Sequence, residues 1–419
     1  MFSVIFYYKA TNTYALNVLI GAIQEKIDSP DLEIILANRV DNLITAIRDA
    51  RSKGRKVLTG WSFYSPHYAK CIADLKTVKQ AIADQEVIHL AGGVHATAEP
   101  ESTLSAGFDY VAVGESEKTI VAVVQNLLAG KTIETVKGIA RLRNGKLISN
   151  GPGELIDLDE FPPMAPKFPR VNPIEITRGC VYACSFCQTP FMFKARFRHR
   201  SVNHVCEYVA FMMNEGAKDV RFITPTSLSY GSADESVNLE KIEHLLRSVH
   251  GAIAGRGRIF FGTFPSEVRP EHVTPEALRI IKKYCHNDNI LMGAQSGSLT
   301  MLDRLHRGHD VKCIQRAVRY CIEEGFLPNV DFIFGLPGET REDIRASLAL
   351  ADELTAMGAR IHGHTFMPLP GTPLKNAPAG HVDNETLSHL HKLVAKGKLY
   401  GQWNEQTEIA HTLASRRSV

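Results

Sequence analysis

Short, almost continuously apolar runs recur through the first third of the chain and constrain its fold more than any other feature. Each run has the length of a strand, and stretches with helical periodicity separate the runs, such as 42–54, which stops at Gly54. Strands that are buried on both faces have this pattern. It predicts an α/β domain over residues 1–135, with a doubly wound parallel sheet of the Rossmann or flavodoxin type. The predicted strands are 3–8, 32–37, 56–60, 86–92 and 109–114.

Three of these strands end in polar segments that contain glycine, at 59–62, 92–95 and 114–117. The carboxyl ends of parallel strands share one rim of the sheet, and ligands of doubly wound sheets bind there, at the switch in strand order. Glycine lets a ligand approach the backbone closely. The rim is therefore a candidate ligand site, although ordinary βα turns also carry glycine.

A second alternation of strands and helices follows a connecting segment. Residues 136–170 combine a predicted hairpin at 141–154 with a proline-rich stretch, and together they predict a linker. Six βα units in 171–373 predict a partial (β/α)6 barrel. Residues 374–419 predict a C-terminal extension with a helix at 384–400. The predicted barrel strands are 173–179, 219–224, 258–264, 289–295, 329–335 and 361–367.

The net charge is small, because 48 Lys and Arg side chains against 45 Asp and Glu side chains leave +3. Such a balance gives no electrostatic case for nucleic acid or an anionic membrane as a partner. The N-terminus lacks the basic start and the cleavage site of a signal peptide, and no apolar run reaches the roughly 18 residues of a spanning helix. We therefore expect a cytoplasmic protein.

Three of the eight cysteines, Cys180, Cys184 and Cys187, fall on one predicted βα loop with the spacing C-x3-C-x2-C. Thiolates suit zinc and iron–sulfur clusters, but a structural zinc site supplies four ligands and no second pair follows. The loop therefore predicts a site that is one ligand short, such as a four-iron cluster with one open iron. Isolated cysteines that are interpreted as buried thiols are Cys206, Cys285, Cys313 and Cys321.

The cysteine loop, with Phe186 before its last cysteine, resembles the signature of the radical S-adenosylmethionine (SAM) superfamily. The resemblance implies a [4Fe-4S] cluster on the three cysteines, whose open iron chelates SAM and whose electron splits it to a 5′-deoxyadenosyl radical. Segments 263–276, 293–298, 331–340 and 367–374 resemble later strand ends of that superfamily. The SAM-binding residues implied in this way are Phe186, Gln188, Glu267, Arg269, Gln295 and Ser296.

The preceding sheet resembles the cobalamin-binding domain of class B radical SAM methyltransferases, through segments 91–101 and 111–120. The cobalt-ligating pattern DxHxxG is absent from 1–135, so the resemblance implies base-off cobalamin without a protein histidine ligand. Trp61 and Tyr64 would cover its lower face, unless Trp61 belongs to the core; a sheet that binds nothing is the alternative. The implied cobalamin-binding residues are Tyr8, Gly60, Trp61, Ser62, Tyr64, Gly92, Gly93, His95, Gly114, Glu115, Ser116 and Glu117.

Together these resemblances imply a methyltransferase that acts through methylcobalamin on an unactivated sp³ carbon and uses a low-potential electron donor. The chain as a whole resembles the methanogen enzymes that C-methylate a glutamine of methyl-coenzyme M reductase. A protein or peptide substrate is therefore expected, and a small-molecule substrate stays open. The residues expected to reach a substrate are Tyr7, Arg178, Arg196, His362 and His364, of which the two histidines share one side of a strand.

Three other functions stay open at this stage. A cobalamin-dependent radical cyclase or rearrangement enzyme would transfer no methyl group. A methylthiotransferase would need three more clustered cysteines in the first domain, which contains Cys71 alone. A cobalamin or redox sensor would bind the cofactors without consuming SAM.

Overall fold

We describe the protein from a computed structural model, over residues 1–83, 86–193 and 196–415. The chain divides into two compact units, Met1–Asn172 and Pro173–Val419. None of the described helices is both long enough and apolar enough to cross a membrane.

A seven-stranded sheet forms the centre of the first unit. Its strands are β1 Phe2–Tyr7, β2 Leu32–Ala37, β3 Lys56–Ser62, β4 Val87–Gly92, β5 Tyr110–Ala112, β6 Ile139–Arg143 and β7 Lys146–Ser149. They lie in the order β2-β1-β3-β4-β5-β6-β7, with β1 to β5 parallel and β6 and β7 antiparallel. The order 2-1-3-4-5 is that of flavodoxin-like doubly wound sheets, so the predicted fold class of this region is confirmed.

Helices cover both faces of this sheet. They are α1 Thr13–Lys26, α2 Val40–Ser52, α3 Tyr68–Ala81, α4 Gly93–Ala98, α5 Pro100–Ser105 and α6 Glu117–Leu128. Neighbouring residues of a strand point to opposite sides. Val57 and Trp61 of β3 therefore pack into one apolar cluster with α2 and α3, whereas Leu58 packs into another with α1 and α6.

The hairpin predicted at 141–154 extends the sheet of the first unit. β6 pairs with β5 as well as with β7, so both hairpin strands belong to the sheet. The proline-rich stretch that follows is also attached, because Phe161 is buried in an apolar cluster with Val121. Residues 136–170, predicted as a linker, thus lie within the first unit, and apolar burial that a local reading does not show places them there.

The second unit is built on parallel strands that follow one another in chain order. Its strands are β8 Ile174–Glu175, β9 Thr177–Arg178, β10 Arg198–His199, β11 Asp219–Ile223, β12 Arg258–Phe260, β13 Asn289–Gln295, β14 Leu327–Phe334, β15 Arg360–Thr365 and β16 Leu399–Tyr400. Parallel ladders join β8, β11 and β12, and another set joins β13 to β16. A parallel bridge between Val268 and Met292 connects the two sets. The six strands β8, β11, β12, β13, β14 and β15 are those of the predicted partial barrel.

Several boundaries in this unit differ from the sequence prediction. The third barrel strand ends at Phe260 rather than at 264. The helix predicted at 384–400 ends at Ala395, because Gly397 adopts a left-handed φ of +67° and stops it. The chain then forms β16, a short further strand beside β15.

Helices follow the strands and hold the loops at their carboxyl ends. They are α7 Thr189–Met192, α8 Val202–Asn214, α9 Leu239–Ile253, α10 Pro275–Tyr284, α11 Leu299–Arg304, α12 Val311–Glu323, α13 Arg341–Met357, α14 Asn384–Ala395 and α15 Trp403–Ser415. Side-chain caps fix where several of them begin: Thr340 and Asp343 form a capping box at α13, and Asp310 caps α12.

Candidate active site

The three predicted cluster cysteines lie on the loop between β9 and α7. The loop contains a tight turn, in which the N–H of Cys187 donates to the carbonyl of Cys184 at 3.0 Å. Ser185 anchors it, because its N–H donates to the carbonyl of Leu305 and its own carbonyl accepts the N–H of Leu374. The loop is therefore held by two other segments of the second unit.

The spacing of the cysteine sulfurs does not suit a single metal ion. Among the described residues, the group of three whose ligand atoms all lie within 4.8 Å of one another is Asp331, His362 and His364. Thiolates on one zinc ion, with Zn–S of about 2.3 Å, would lie about 3.8 Å apart. The wider spacing of the cysteines fits an iron–sulfur cluster, in which three thiolates bind three different irons.

Two buried arginines lie against Cys184. Arg307 Nη1 is 3.3 Å and Arg269 Nη1 is 3.7 Å from its sulfur. Arg269 also stacks on Tyr182, 3.6 Å from the ring centroid, and donates from Nε to Glu271. Cations in this position stabilise a thiolate and would also stabilise an anionic ligand beside it.

Burial favours the protonated form of the other two cysteines of the loop. It raises the pKa of Cys180 to about 12, and it also raises the pKa of Cys187. Thiols of this kind are poor nucleophiles at neutral pH, and metal binding is what removes their protons. The set is therefore suited to holding a metal cluster and not to nucleophilic catalysis.

Two cavities meet at the cysteine loop. One has a volume of about 290 Å³ and is lined by the three cysteines together with Arg269 and Arg307. The other has a volume of about 250 Å³, and it shares Phe186 and Glu267 with the first. An elongated ligand that is bound at the cysteines can therefore extend past these two side chains into the second cavity. We call the two the cluster cavity and the inner cavity.

Gln295 lines the inner cavity from a strained position at the end of β13. Its φ of +74° is a left-handed value that side chains rarely adopt, and the strand register shifts between Gly293 and Gln295. A Cβ at residue 293 would lie 2.5 Å from the side-chain amide nitrogen of Gln295, so a larger residue there would displace the Gln295 side chain. Strain of this kind is characteristic of functional sites.

Two carboxyl groups, Glu267 and Asp331, interact at the inner cavity. Burial, followed by repulsion from Asp331, raises the pKa of Glu267, so the pair retains a proton more readily than exposed carboxylates do. Asp331 Oδ1 lies 2.8 Å from His362 Nδ1 and 3.9 Å from His364 Nε2. The cavity therefore offers hydrogen-bond acceptors to a ligand that carries hydroxyl groups.

Two residues predicted to bind SAM point away from both cavities. Gln188 Nε2 donates to the carbonyl of Pro370 at 2.6 Å. Ser296 is fully buried, and its hydroxyl lies 3.1 Å from that of Ser347. We correct both to residues that hold neighbouring segments together. The predicted SAM residues that do line the cavities are Phe186, Glu267, Arg269 and Gln295.

The first unit has a small cavity of about 40 Å³, which we call the sheet cavity. Apolar residues of β1, β4, α1 and α6 form its walls, and it lies next to the point between β1 and β3 where the strand order reverses. Flavodoxin-like sheets bind their ligands at this point. Residues predicted to bind cobalamin that line the sheet cavity are Gly60, Trp61, Ser62, Gly92, Gly93 and Ser116.

The rings of Trp61 and Tyr7 pack in the core of the first unit. The two rings lie 4.6 Å apart, and Trp61 Nε1 donates to Thr59 while the Tyr7 hydroxyl donates to Asp74 at 2.8 Å. Both belong to the apolar cluster on the opposite face of the sheet from Phe6 of the sheet cavity. The core position of the Trp61 ring is the alternative that the sequence left open, and the Tyr7 hydroxyl is already paired within the first unit.

Two predicted cobalamin residues from the fifth strand end are also turned inward. Glu115 and Glu117 are both buried, and Glu115 accepts the N–H of Ile156 at 3.2 Å. Gly114 adopts a left-handed φ of +84°, and its N–H donates to Thr97. Glu115 thus attaches the rim to the chain that follows β7, and Glu117 is buried at the start of α6.

Three further predicted cobalamin residues differ in exposure. Tyr64 is 46% exposed and so remains available to a ligand. His95 is buried and lies 4.3 Å from the ring of Tyr68. The hydroxyl of Tyr8 donates to Asn17 at 2.8 Å.

The residues predicted to reach a substrate have different environments in the second unit. Arg178 is buried, and its guanidinium bonds both carboxylate oxygens of Glu175, at 2.9 and 2.6 Å, so it has a structural role. Arg196 is exposed. His364 lines the inner cavity, whereas His362 does not.

Sequence reasoning missed Arg307 and Asp331. Asp331 gives a signal in the sequence, since a carboxylate inside the apolar run 329–335 must be paired if the run is buried. Arg307 follows α11 in a polar segment and gives no such signal. Its position beside Cys184 is visible only in three dimensions.

The sequence model of the Radical SAM superfamily matches residues 174–351. An uncharacterized methyltransferase of Pyrococcus horikoshii is 28% identical over 306 residues, which cover 70% of this chain and 63% of that protein. A tRNA-2-methylthio-N(6)-dimethylallyladenosine synthase of Shewanella putrefaciens is 30% identical over 223 residues, which cover 51% of this chain and 44% of that one. The chain thus spans less than two thirds of the length of these relatives.

Two solved structures share the fold over most of the chain. The radical SAM methyltransferase TsrM from Kitasatospora setae, with cobalamin and a [4Fe-4S] cluster bound, gives a TM-score of 0.71 at 17% identity, over 89% of this chain and 73% of that chain. The cobalamin-dependent SAM radical enzyme OxsB, with aqua-cobalamin bound, gives 0.65 at 16% identity, over 97% and 56%. The fold is therefore shared with cobalamin-binding radical SAM enzymes, and the match to the Radical SAM superfamily lies within the second unit.

Proposed function

We propose that the protein is a cobalamin-dependent radical SAM methyltransferase that methylates an sp³ carbon. The observation that carries this proposal is the cysteine loop, which lines a cavity together with Arg269 and Arg307 on the fold shared with TsrM. A [4Fe-4S] cluster bound to the three cysteines would supply the electron that cleaves SAM reductively. The sulfur spacing, which is too wide for a single metal ion, fits that group.

The side chains around the two cavities divide the recognition of SAM between them. Arg307 supplies a buried cation beside Cys184, where the carboxylate of SAM would lie. Glu267, Gln295 and Asp331 offer acceptors to the ribose hydroxyls, as carboxylates do in nucleotide sites. Ile333 and other apolar residues of the inner cavity suit an adenine ring.

The sheet cavity of the first unit supports cobalamin as the second cofactor. Backbone at Gly60, Gly92 and Gly93 is open to close approach, and the walls are apolar. His89 is bonded to Thr59 inside the core. We propose that cobalamin binds base-off without a histidine ligand from this chain.

The number of cysteines favours methyl transfer over methylthio transfer, which some relatives catalyse. Methylthiotransfer needs a second cluster, and residues 1–172 contain one cysteine, Cys71. Burial raises the pKa of Cys71 above its usual range, and the thiol lies in an apolar cluster. A second iron–sulfur cluster in the first unit therefore has no ligands here.

For the substrate, we propose a glutamine side chain of a protein, namely methyl-coenzyme M reductase. The resemblance of the whole chain to the enzymes that modify this glutamine supports it. A low-potential reductant would supply electrons in the cytoplasm. A small molecule is the alternative substrate, and radical cyclisation is the alternative reaction.

The proposal is tested with protein that is purified and reconstituted anaerobically with iron, sulfide and cobalamin. It is incubated with dithionite, methyl-labelled SAM and a peptide that contains the glutamine. We expect S-adenosylhomocysteine and 5′-deoxyadenosine in about equal amounts, with label in the peptide. 5′-Deoxyadenosine alone would indicate the cyclase, and a preparation without bound iron and sulfide would refute the radical SAM assignment altogether.

A further inference from the structure

SAM binding by itself does not require the group of three side chains formed by Asp331, His362 and His364. Asp331 and His364 line the inner cavity, while His362 does not. His362 is fixed by its neighbours, because its ring is stacked 4.6 Å from that of Tyr400 at an interplanar angle of 10°. A rigid imidazole behind a cavity-lining carboxylate indicates a specific role for this contact.

Both histidines have a ring nitrogen close to the same oxygen of Asp331, Oδ1. His362 Nδ1 lies 2.8 Å from Oδ1, a hydrogen bond in which the imidazole donates to the carboxylate. His364 Nε2 lies 3.9 Å from that same Oδ1. The hydrogen bond from His362 thereby orients the carboxylate of Asp331, which lines the inner cavity together with Glu267.

Gln406 determines which nitrogen of His364 carries the proton. The N–H of Thr365 donates to Gln406 Oε1 at 2.9 Å, so the amide NH2 must face His364 Nδ1, which lies 3.2 Å away. Nδ1 therefore accepts, and the proton of the neutral ring lies on Nε2, which faces Asp331.

This proton position decides against a metal ion in the cluster. Two imidazoles and one carboxylate within 4.8 Å are a common ligand set for divalent metals. A metal at His364 Nε2 would need the proton on Nδ1, directly opposite the NH2 group of Gln406. Turning that amide over would then set its NH2 against the N–H of Thr365.

We propose that His362 and His364 are positioning residues for the nucleoside half of SAM: His362 by its hydrogen bond and His364 by its place beside it fix Asp331, so that this carboxylate, with Glu267 and Gln295, accepts the ribose hydroxyls. The inference rests on the proposed function. The inner cavity adjoins the cluster cavity at Phe186 and Glu267, and it combines acceptors with apolar walls. A ribose that carries a flat base has matching chemistry.

The test compares two ligands that differ by the nucleoside. Anaerobically reconstituted protein is titrated with S-adenosylhomocysteine, which contains the ribose, and with L-methionine, which does not. We expect His362→Phe to weaken S-adenosylhomocysteine at least tenfold and to leave methionine unchanged. His362→Asn, which retains an amide donor, should recover most of the loss. His389→Phe is the matched control, because His389 pairs with Asp352 at 3.0 Å on the surface.

Each outcome of this test either supports or overturns the positioning role, or refutes the proposed function. Unchanged binding of S-adenosylhomocysteine by His362→Phe, or an equal loss of both ligands, overturns the positioning role. One equivalent of a divalent metal beyond the cluster iron, lost in His364→Phe, overturns it in favour of a metal site. If the wild-type protein binds neither ligand, it is the radical SAM function that fails, and this result differs from all the others.

Discussion

The two units of this protein offer ligands different kinds of surface. None of the described residues that line the sheet cavity carries an ionisable side chain; glycine backbone and apolar side chains form it. The cluster and inner cavities of the second unit are instead lined by thiols, two arginines and two carboxyl groups. The first unit therefore offers a ligand a cavity without charged groups, whereas the second offers it charged side chains and potential metal ligands.

This difference follows from how each fold uses its strand ends. In the flavodoxin-like sheet, the predicted polar groups Glu115 and Glu117 are buried, and Glu115 attaches the rim to the chain that follows β7. In the barrel, charged side chains point into the cavities and are held by partners behind them, as Arg269 is by Glu271. A large preformed cofactor needs room and apolar contact, whereas a reaction that cleaves a sulfonium needs fixed charges. Variants in each unit distinguish the apolar site of the first unit from the charged site of the second.

The largest effect is expected from Cys184→Ser. The serine hydroxyl does not replace a thiolate on iron, so we expect loss of the cluster and at least a 100-fold fall in SAM cleavage. Cobalamin binding in the first unit should persist. Iron, sulfide and corrin analysis of the same preparation checks both. The matched control is Cys206→Ser on α8, which should behave as the wild type; if Cys206→Ser also lost the iron, the assignment of the cluster to the loop would be wrong.

A smaller loss is expected from Arg307→Gln. A hydrogen bond to a charged group contributes about 1.5–3 kcal/mol, so SAM affinity should fall about 10- to 100-fold while the cluster remains. Arg304→Gln is the control, because Arg304 lies three residues earlier and donates to the carbonyl of Gly338 at 2.9 Å, outside both cavities. Equal SAM affinity of the two variants would show that charge beside Cys184 is not what binds SAM.

Gly92→Leu tests the sheet cavity. A Cβ at Gly92 meets nothing closer than 3.8 Å, so the substitution is tolerated sterically while the side chain occupies space at the rim. Overfilling such a site costs about 1–3 kcal/mol, so cobalamin affinity should fall about 10-fold or more with SAM cleavage retained. Gly251→Leu on α9, where a Cβ meets nothing within 4 Å, is the control. Wild-type cobalamin affinity in Gly92→Leu would place the corrin elsewhere.

The strands of both units could be predicted because burial on two faces leaves long apolar runs. The same property hid the faces: residues 57–62 of β3 are all apolar or small, so nothing in the sequence showed which of the two faces, that of Gly60 or that of the Trp61 ring, meets the cavity. The attachment of the hairpin 141–154 depends on pairing with β5, a contact between segments distant in sequence.

Some of the site residues could likewise be predicted from the sequence, and others could not. The cysteines are one local motif and could be recognised directly, and Glu267 and Gln295 lie in segments recognisable by resemblance. Ser296 was grouped with Gln295 because the two are adjacent, but a bulge turns Gln295 into the cavity and leaves Ser296 behind. Arg307 contacts Cys184 although the two residues are 123 positions apart in the chain. No local sequence pattern indicates a contact between residues so far apart.

The smallest expected effect is on the pH dependence of the protein's stability. It arises from Glu271, the partner of Arg269 in the wall of the cluster cavity. Burial acts to raise the pKa of Glu271, but the hydrogen bond from His309 and the charge of Arg269 outweigh it and lower the pKa from 4.5 to about 2. A lowered carboxyl pKa contributes stability that is present above about pH 4.5 and is lost as pH falls toward 2. Since Glu271 is a quarter exposed, we expect about 1 kcal/mol to be lost between about pH 5.5 and 3.5, which is about 2–4 °C in Tm.

Glu271→Gln should remove this component of the pH dependence. The variant should be less stable than the wild type at pH 5.5, and the difference should narrow toward pH 3.5, as followed by thermal unfolding. Glu385→Gln, at the exposed start of α14, is the control and should follow the wild-type curve. A constant difference between Glu271→Gln and the wild type at all pH values would mean that Glu271 acts through packing. The charges of the second unit would then matter less to its fold than their burial indicates.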